Sequence, residues 1–165
     1  MTAINIRHGI HVIRQPLGSK VCWAAATAMT VGHTATIASV QTAAAAGNVR
    51  IHTDGSLPIG DLANVQRLAG CFSGLSVTDV RAAPVTLDLM LRWLRRGRFA
   101  MLGGFNYPGG QPANDHAVTF YGANGDGTAR RTRISLADPY NGPFHDDFEH
   151  FEEQIMADPH FIIHR

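Results

Sequence analysis

The spacing of apolar residues changes character at Gly97: runs with helical spacing dominate before it, and strand-like runs dominate after it. A chain ordered this way offers no alternating strand-helix-strand units, so it predicts an α+β fold with helices gathered against an antiparallel sheet. The alanine-rich run Cys22–Val31, stopped by Gly32, reads as a first helix, and Thr34–Ala46, stopped by Gly47, as a second. Leu57, Ile59, Leu62, Val65 and Leu68 predict a third helix over Leu57–Ala69. Leu87, Met90, Leu91 and Leu94, between Pro84 and Gly97, predict a fourth over Thr86–Arg96. Strands are expected at Ile10–Arg14, Phe99–Phe105, His116–Tyr121, Arg131–Ala137 and Phe161–His164. Asn124-Gly125-Asp126-Gly127 reads as a hairpin turn, because asparagine and glycine tolerate positive φ. Phe144, Phe148, Phe151 and Ile155 fall at helical spacing, which predicts burial in the core rather than a patch for a partner.

With 165 residues the chain is the size of one domain, able to bury about two thirds of its unfolded surface. Hydrophobic residues make up 45% and charged residues 16%, which excludes a disordered chain. A net charge of +1 supplies no field that would call for nucleic acid or a membrane surface. The arginines at 92, 95, 96 and 98, with those at 130, 131 and 133, read as solvated faces before they read as a patch for an acidic partner. Two cysteines in unlike contexts imply no disulfide framework and fit a reducing compartment. No apolar run approaches the ~20 residues of a membrane span, and the N-terminus lacks a secretory core, so the chain as written reads as cytoplasmic. No compact His/Cys spacing points to a metal or other cofactor.

Chemistry concentrates at the start of the first helix. A thiol works as a nucleophile in its thiolate form, which unpaired N–H groups and the positive end of a helix dipole favour, and Cys22 opens the predicted helix. The thiol needs a base, and His116 is the best of nine histidines: it begins a strand after the loop Asn106–Asp115, at an edge that faces a cleft. The base needs a group to fix its tautomer. Asp138, at the end of the strand before Pro139, can reach the start of the His116 strand across the hairpin. Asp115 ranks lower, because adjacent strand residues point to opposite faces. An oxyanion formed at the site needs donors, and the Cys22 N–H and the Gln15 amide, folded back by the loop Pro16–Val21, are placed to supply them. Taken singly, each residue has a plainer reading: a core cysteine, a structural histidine, a solvated glutamine.

The string Gln15-Pro-Leu-Gly-Ser-Lys-Val-Cys22-Trp-Ala-Ala-Ala, then Asp115-His-Ala-Val-Thr-Phe-Tyr-Gly, then Ala137-Asp-Pro-Tyr, resembles papain-like cysteine peptidases. It is similar above all to bacterial members related to the double-glycine peptidases of peptide exporters and to secreted effectors with a CWAA motif. The resemblance implies Gln15 as oxyanion glutamine, Cys22 as nucleophile, His116 as base and Asp138 as orienting acid. It also implies a protein substrate, a slot preferring glycine before the cut, and a toxin domain at the C-terminus of a larger delivered protein, blocked by a cognate immunity protein. The larger relatives' propeptide, disulfides and signal sequence are missing here. The same triad logic also serves glutamine deamidases and transglutaminases, and a non-catalytic binding module is the reading from another class.

Overall fold

A computed structural model describes residues 3–107 and 113–165. The fold is α+β, and one antiparallel seven-stranded sheet organises it. Its strands are β1 (Ile4–Arg7), β2 (Ser76–Asp79), β3 (Phe99–Phe105), β4 (Ala113–Gly125), β5 (Thr132–Asp138), β6 (Gly142–Asp147) and β7 (Met156–His164). They lie in the order β2-β7-β3-β4-β5-β6, with β1 added beside β4. The helices are α1 (Cys22–Val31), α2 (Ile37–Ala46), α3 (Leu62–Gly70) and α4 (Leu87–Arg96), with a short turn α5 (Phe148–His150) that runs into a π turn at Phe151–Ile155.

Every residue of β3 is buried, because both faces of the sheet are covered. Ala100 and Leu102 on one face join Ala117, Phe161 and Ile163 against α1, α2 and α3. Phe99, Met101 and Phe105 on the other face join Val118, Phe120, Leu136 and Ile162 against α4, Phe148 and Phe151. Alternation along the strand thus feeds two cores. Small residues meet small residues where α1 crosses the sheet: Ala24, Ala26 and Ala28 are fully buried beside Ala100 and Ala117. Thr119 Oγ1 donates to Ala26 O at 2.9 Å across that contact, so α1 is fixed in height above β4. That fixes where Cys22 sits.

Several sequence expectations need correction. The segment Ile10–Arg14 is not a strand; the Ile13 N–H is used on Met29 Sδ of α1, at 3.3 Å, and no ladder forms. The first strand is β1, whose partner is the extended second half of β4, from Gly122 to Gly125. The second helix starts at Ile37, where Thr36 and Ser39 form a capping box, not at Thr34. The third starts at Leu62 with Asp61 as cap; Leu57 and Ile59 are buried in the loop before it. β1 precedes α1 and β2 falls between α3 and α4, so the separation of helices from strands is incomplete. Phe148, Phe151 and Ile155 are buried, as expected, but Phe144 lies in β6 rather than on a helical face and is half-buried. Asn124 and Gly125 are not in the turn but in β4, paired with Arg133 and Thr132, so the turn spans residues 126–131 and includes the 3₁₀ turn at Ala129–Arg131. Gly103 is needed in β3, because a Cβ there would run into the main-chain oxygen of Asp158.

Candidate active site

Cys22 is the first residue of α1 and is buried at the base of a cleft of about 400 Å³. The backbone ladder of α1 begins with the N–H groups of Ala24 and Ala25 bonded to Val21 O, so the N–H groups of Cys22 and Trp23 have no acceptor within the helix. Trp23 is buried beside it, and its indole N–H donates to Gly55 O at 3.0 Å. That bond pins the loop after α2, which brings Leu57, Pro58 and Ile59 to the far wall of the cleft. The loop is braced by its own turn, with the His52 N–H on Ser56 O and the Gly55 N–H on His52 O, each at 2.9 Å.

His116 enters from β4, opposite Gly103 of β3. The β4–β5 register ends at Thr119 opposite Ala137, and at that open end the His116 ring meets the Asp138 carboxylate. His116 Nε2–H donates to Asp138 Oδ1 at 3.0 Å, which leaves Nδ1 as the ring nitrogen for the Cys22 sulfur. Burial pushes the imidazole pKa down, but the hydrogen bonds and charges of Asp138 and Cys22 outweigh it and raise it to about 9. Asp138 is fully buried. Burial would raise its pKa, yet the His116 bond and charge, the Tyr107 hydroxyl and the Asn141 N–H hold it at about 2.

Asp138 is held from several sides. Tyr107 Oη donates to Oδ2 at 2.5 Å, and the backbone N–H groups of Tyr140 and Asn141 donate to Oδ1 at 2.6 and 3.0 Å. Asn141 Nδ2 adds a bond to Oδ2 at 3.2 Å. Sequence reasoning missed Tyr107 and Asn141. Asp-Pro-Tyr-Asn carries a signal for the second, since an aspartate just before a turn accepts N–H groups two and three residues on. Nothing local marks Tyr107.

Gln15 lies on the same cleft, half-buried. Its amide Nε2 donates to Ser19 O at 2.8 Å, which closes the loop over the helix start, and its backbone N–H donates to Pro139 O at 2.9 Å. The second amide hydrogen is unassigned, and Oε1 is buried with no partner among the described residues. The structure therefore brings all four sequence-derived residues, Gln15, Cys22, His116 and Asp138, to one place. Asp115 is exposed on the cleft wall and does not share the Asp138 position behind the ring. Cys71 is a free thiol elsewhere, bonded to Arg67 O at 3.2 Å. Among the described residues no three His, Cys, Asp or Glu side chains gather as a metal site would require. No helix among them is long and apolar enough to cross a membrane.

The arrangement fits acyl transfer: a thiol at a helix start, an imidazole whose other nitrogen is fixed by a buried carboxylate, and backbone and side-chain donors beside the sulfur. No family model matches the chain, and no curated protein matches it in sequence. Among solved structures, a double glycine motif protease from an AMS/PCAT transporter, in complex with the leader peptide, is similar over 99% of each chain, with a TM-score of 0.53 and 16% identity. At that identity the likeness is one of fold, a papain-like arrangement of helices and antiparallel sheet.

Proposed function

We propose that residues 1–165 form one papain-like cysteine peptidase domain, with Cys22 as nucleophile, His116 as proton carrier, Asp138 as the group that orients it and Gln15 as an oxyanion donor. The observation that carries this reading is the bond from His116 Nε2 to buried Asp138, which turns the remaining ring nitrogen toward the thiol at the start of α1. With the imidazole pKa near 9, His116 is charged at neutral pH and favours a thiolate beside it.

The thiolate attacks the scissile carbonyl carbon, and the oxyanion that forms takes the Cys22 N–H and the second amide hydrogen of Gln15. His116 passes its Nδ1 proton to the departing amine as the C–N bond breaks, leaving a thioester on Cys22. Neutral His116 then takes a proton from water, the hydroxide displaces the thiolate, and a carboxylic acid product leaves. Asp138 stays ionised throughout and keeps the ring in register.

The substrate on this reading is a protein or peptide, cut after glycine. The sequence resemblance supports that preference, as does the likeness of fold to a double glycine motif protease. The same resemblance supports a bacterial effector or toxin role for the domain inside a larger protein, acting in a target-cell cytoplasm and held in check by an immunity protein that occupies the cleft. Expression in bacteria of the wild type and of Cys22→Ala, with newly formed protein N-termini sequenced by mass spectrometry, tests this. New termini that follow glycine, and growth arrest with the intact thiol alone, are expected. Equal sets of termini in both samples overturn peptidase action, and mass gains of about one dalton at glutamines without cleavage would assign deamidation instead.

A further inference from the structure

At the other end of α1, about 15 Å from Cys22 along the helix axis, a second hollow of about 300 Å³ opens between the ends of two helices. Its side chains are His8, His33, Arg96, Arg98 and Arg165, and no carboxylate side chain among the described residues lines it. Arg50, Arg81 and Arg92 each pair with an aspartate; none of the three arginines of the hollow has an acidic side chain within ion-pair distance among the described residues.

Each of three groups is tied to one main-chain carbonyl. Arg98 donates to Gly9 O at 2.8 Å, Arg165 to Val31 O at 2.9 Å, and His8 Nε2–H to Leu94 O at 2.6 Å. The Arg165 main-chain oxygen is turned to His164 Nδ1 at 2.8 Å. The bonds from Arg165 and His8 cap the carbonyl ends of α1 and α4, and the bond from Arg98 ties down the loop at Gly9, which accounts for one donor of each group. They leave the remaining donors of Arg98 and Arg165, together with Arg96, lining the hollow. A guanidinium carries five N–H groups, and fixing it by one bond presents the others as a rigid fork. The crowding has a cost: burial, and then the neighbouring charge of Arg165, hold the Arg98 pKa below the usual arginine range.

We propose that this hollow binds a phosphate-type oxyanion, held by the forks of Arg96, Arg98 and Arg165 with His8 and His33 at its margin. A tetrahedral dianion matches the geometry, since each guanidinium can grip two of its oxygens, and its charge offsets the repulsion among the arginines. The hollow is separate from the cleft, and the proposal stands or falls independently of the peptidase reading.

Calorimetric titration of the intact chain with inorganic phosphate, at roughly 0.15 M ionic strength to screen diffuse attraction, tests it. Saturable one-to-one binding is expected, weakened about 100-fold in Arg96→Gln/Arg98→Gln, or about tenfold per contact removed. Arg92→Gln/Arg95→Gln removes the same charge from α4 outside the hollow and is expected to bind as the wild type does. Arg96→Gln alone changes an exposed residue and reports on the site if the double variant fails to fold. A parallel titration with methyl phosphate separates the two sources of such an anion, the tighter binder marking a free phosphate or an ester. Absence of saturation, or equal loss in the control pair, overturns the proposal.

Discussion

On the strand side of the cleft, Asp138 is fully buried and accepts bonds from His116, Tyr107, Tyr140 and Asn141, so its charge is satisfied before any substrate arrives. On the helix side, Gln15 uses one amide hydrogen on Ser19 O and leaves Oε1 buried without a partner among the described residues, while the Cys22 N–H has no acceptor within its helix. The first wall is built to hold a charge still. The second is built incomplete, with the Cys22 N–H and one Gln15 amide hydrogen left for an incoming carbonyl. A buried acceptor without a partner costs about 1–3 kcal/mol, so the helix side carries a stability cost that the strand side does not.

The largest effect expected is from Cys22→Ala, which removes the proposed nucleophile and should lower kcat/KM by about 10⁵-fold or more while leaving the fold in place; an active variant would take the sulfur out of the reaction. Asp138→Ala should come next and should differ in kind. It strips the acceptor from His116, Tyr107 and two backbone N–H groups at once, so chemical denaturation is expected to show a loss on the order of 3–5 kcal/mol. In the fraction that stays folded, kcat/KM should fall by about 10³-fold as His116 loses its fixed orientation. A variant with normal stability would mean that the strand side does not depend on the aspartate at all.

Much of this was legible in the sequence where the signal is local. The alanine run stopped by Gly32 located α1 and hence Cys22, and Phe99–Phe105 was found to its ends because an apolar run flanked by glycine and polar residues marks a strand buried on both faces. β1, β2 and β6 were not legible. They are four to six residues long, and each exists because a longer neighbour offers it an edge: the second half of β4 recruits Ile4–Arg7, and β7 recruits Ser76–Asp79. The basic runs looked alike in sequence but divide in space. Arg92 pairs with Asp88 at 3.3 Å on the exposed side of α4, and Arg131 faces Asp126 at 3.9 Å, whereas Arg96 and Arg98 turn to the second hollow. The Tyr140 and Asn141 bonds to Asp138 belong to the local turn, whereas the Tyr107 bond depends on tertiary contact and had no local mark.

Gln15→Ala sharpens the comparison from the helix side. It removes the proposed oxyanion donor and an unsatisfied acceptor together, so kcat/KM is expected to fall by about 10²-fold while stability changes by less than about 1 kcal/mol. Gln15→Glu keeps the size but replaces the donor with a negative charge where the proposed oxyanion forms, and should be slower than the alanine variant at neutral pH. If both variants match the wild type in steady-state kinetics, the amide does not meet the oxyanion.

The smallest change, Tyr107→Phe, tests whether the strand side works through charge as well as shape. Removing the hydroxyl from Asp138 Oδ2 leaves the carboxylate a stronger base, which tightens its hold on the His116 proton. The folded pKa of His116, near 9, lies above the ordinary histidine value of 6.5, so its contribution to stability is present below about pH 6.5 and is lost as pH rises through 9. Asp138, held near 2, contributes above about pH 4 and loses that contribution as pH falls toward 2. In Tyr107→Phe both limits are expected to move upward: the alkaline limb of kcat/KM shifts above 9, and acid unfolding begins at a higher pH than in the wild type. At pH 7 the rate should drop by less than about tenfold, because the ring keeps its bond to Asp138. An alkaline limb that stays at its wild-type position while stability falls would make Tyr107 a packing residue, its ring stacked on Phe105 at 6.2 Å between centroids, with no electrical part in holding the proton.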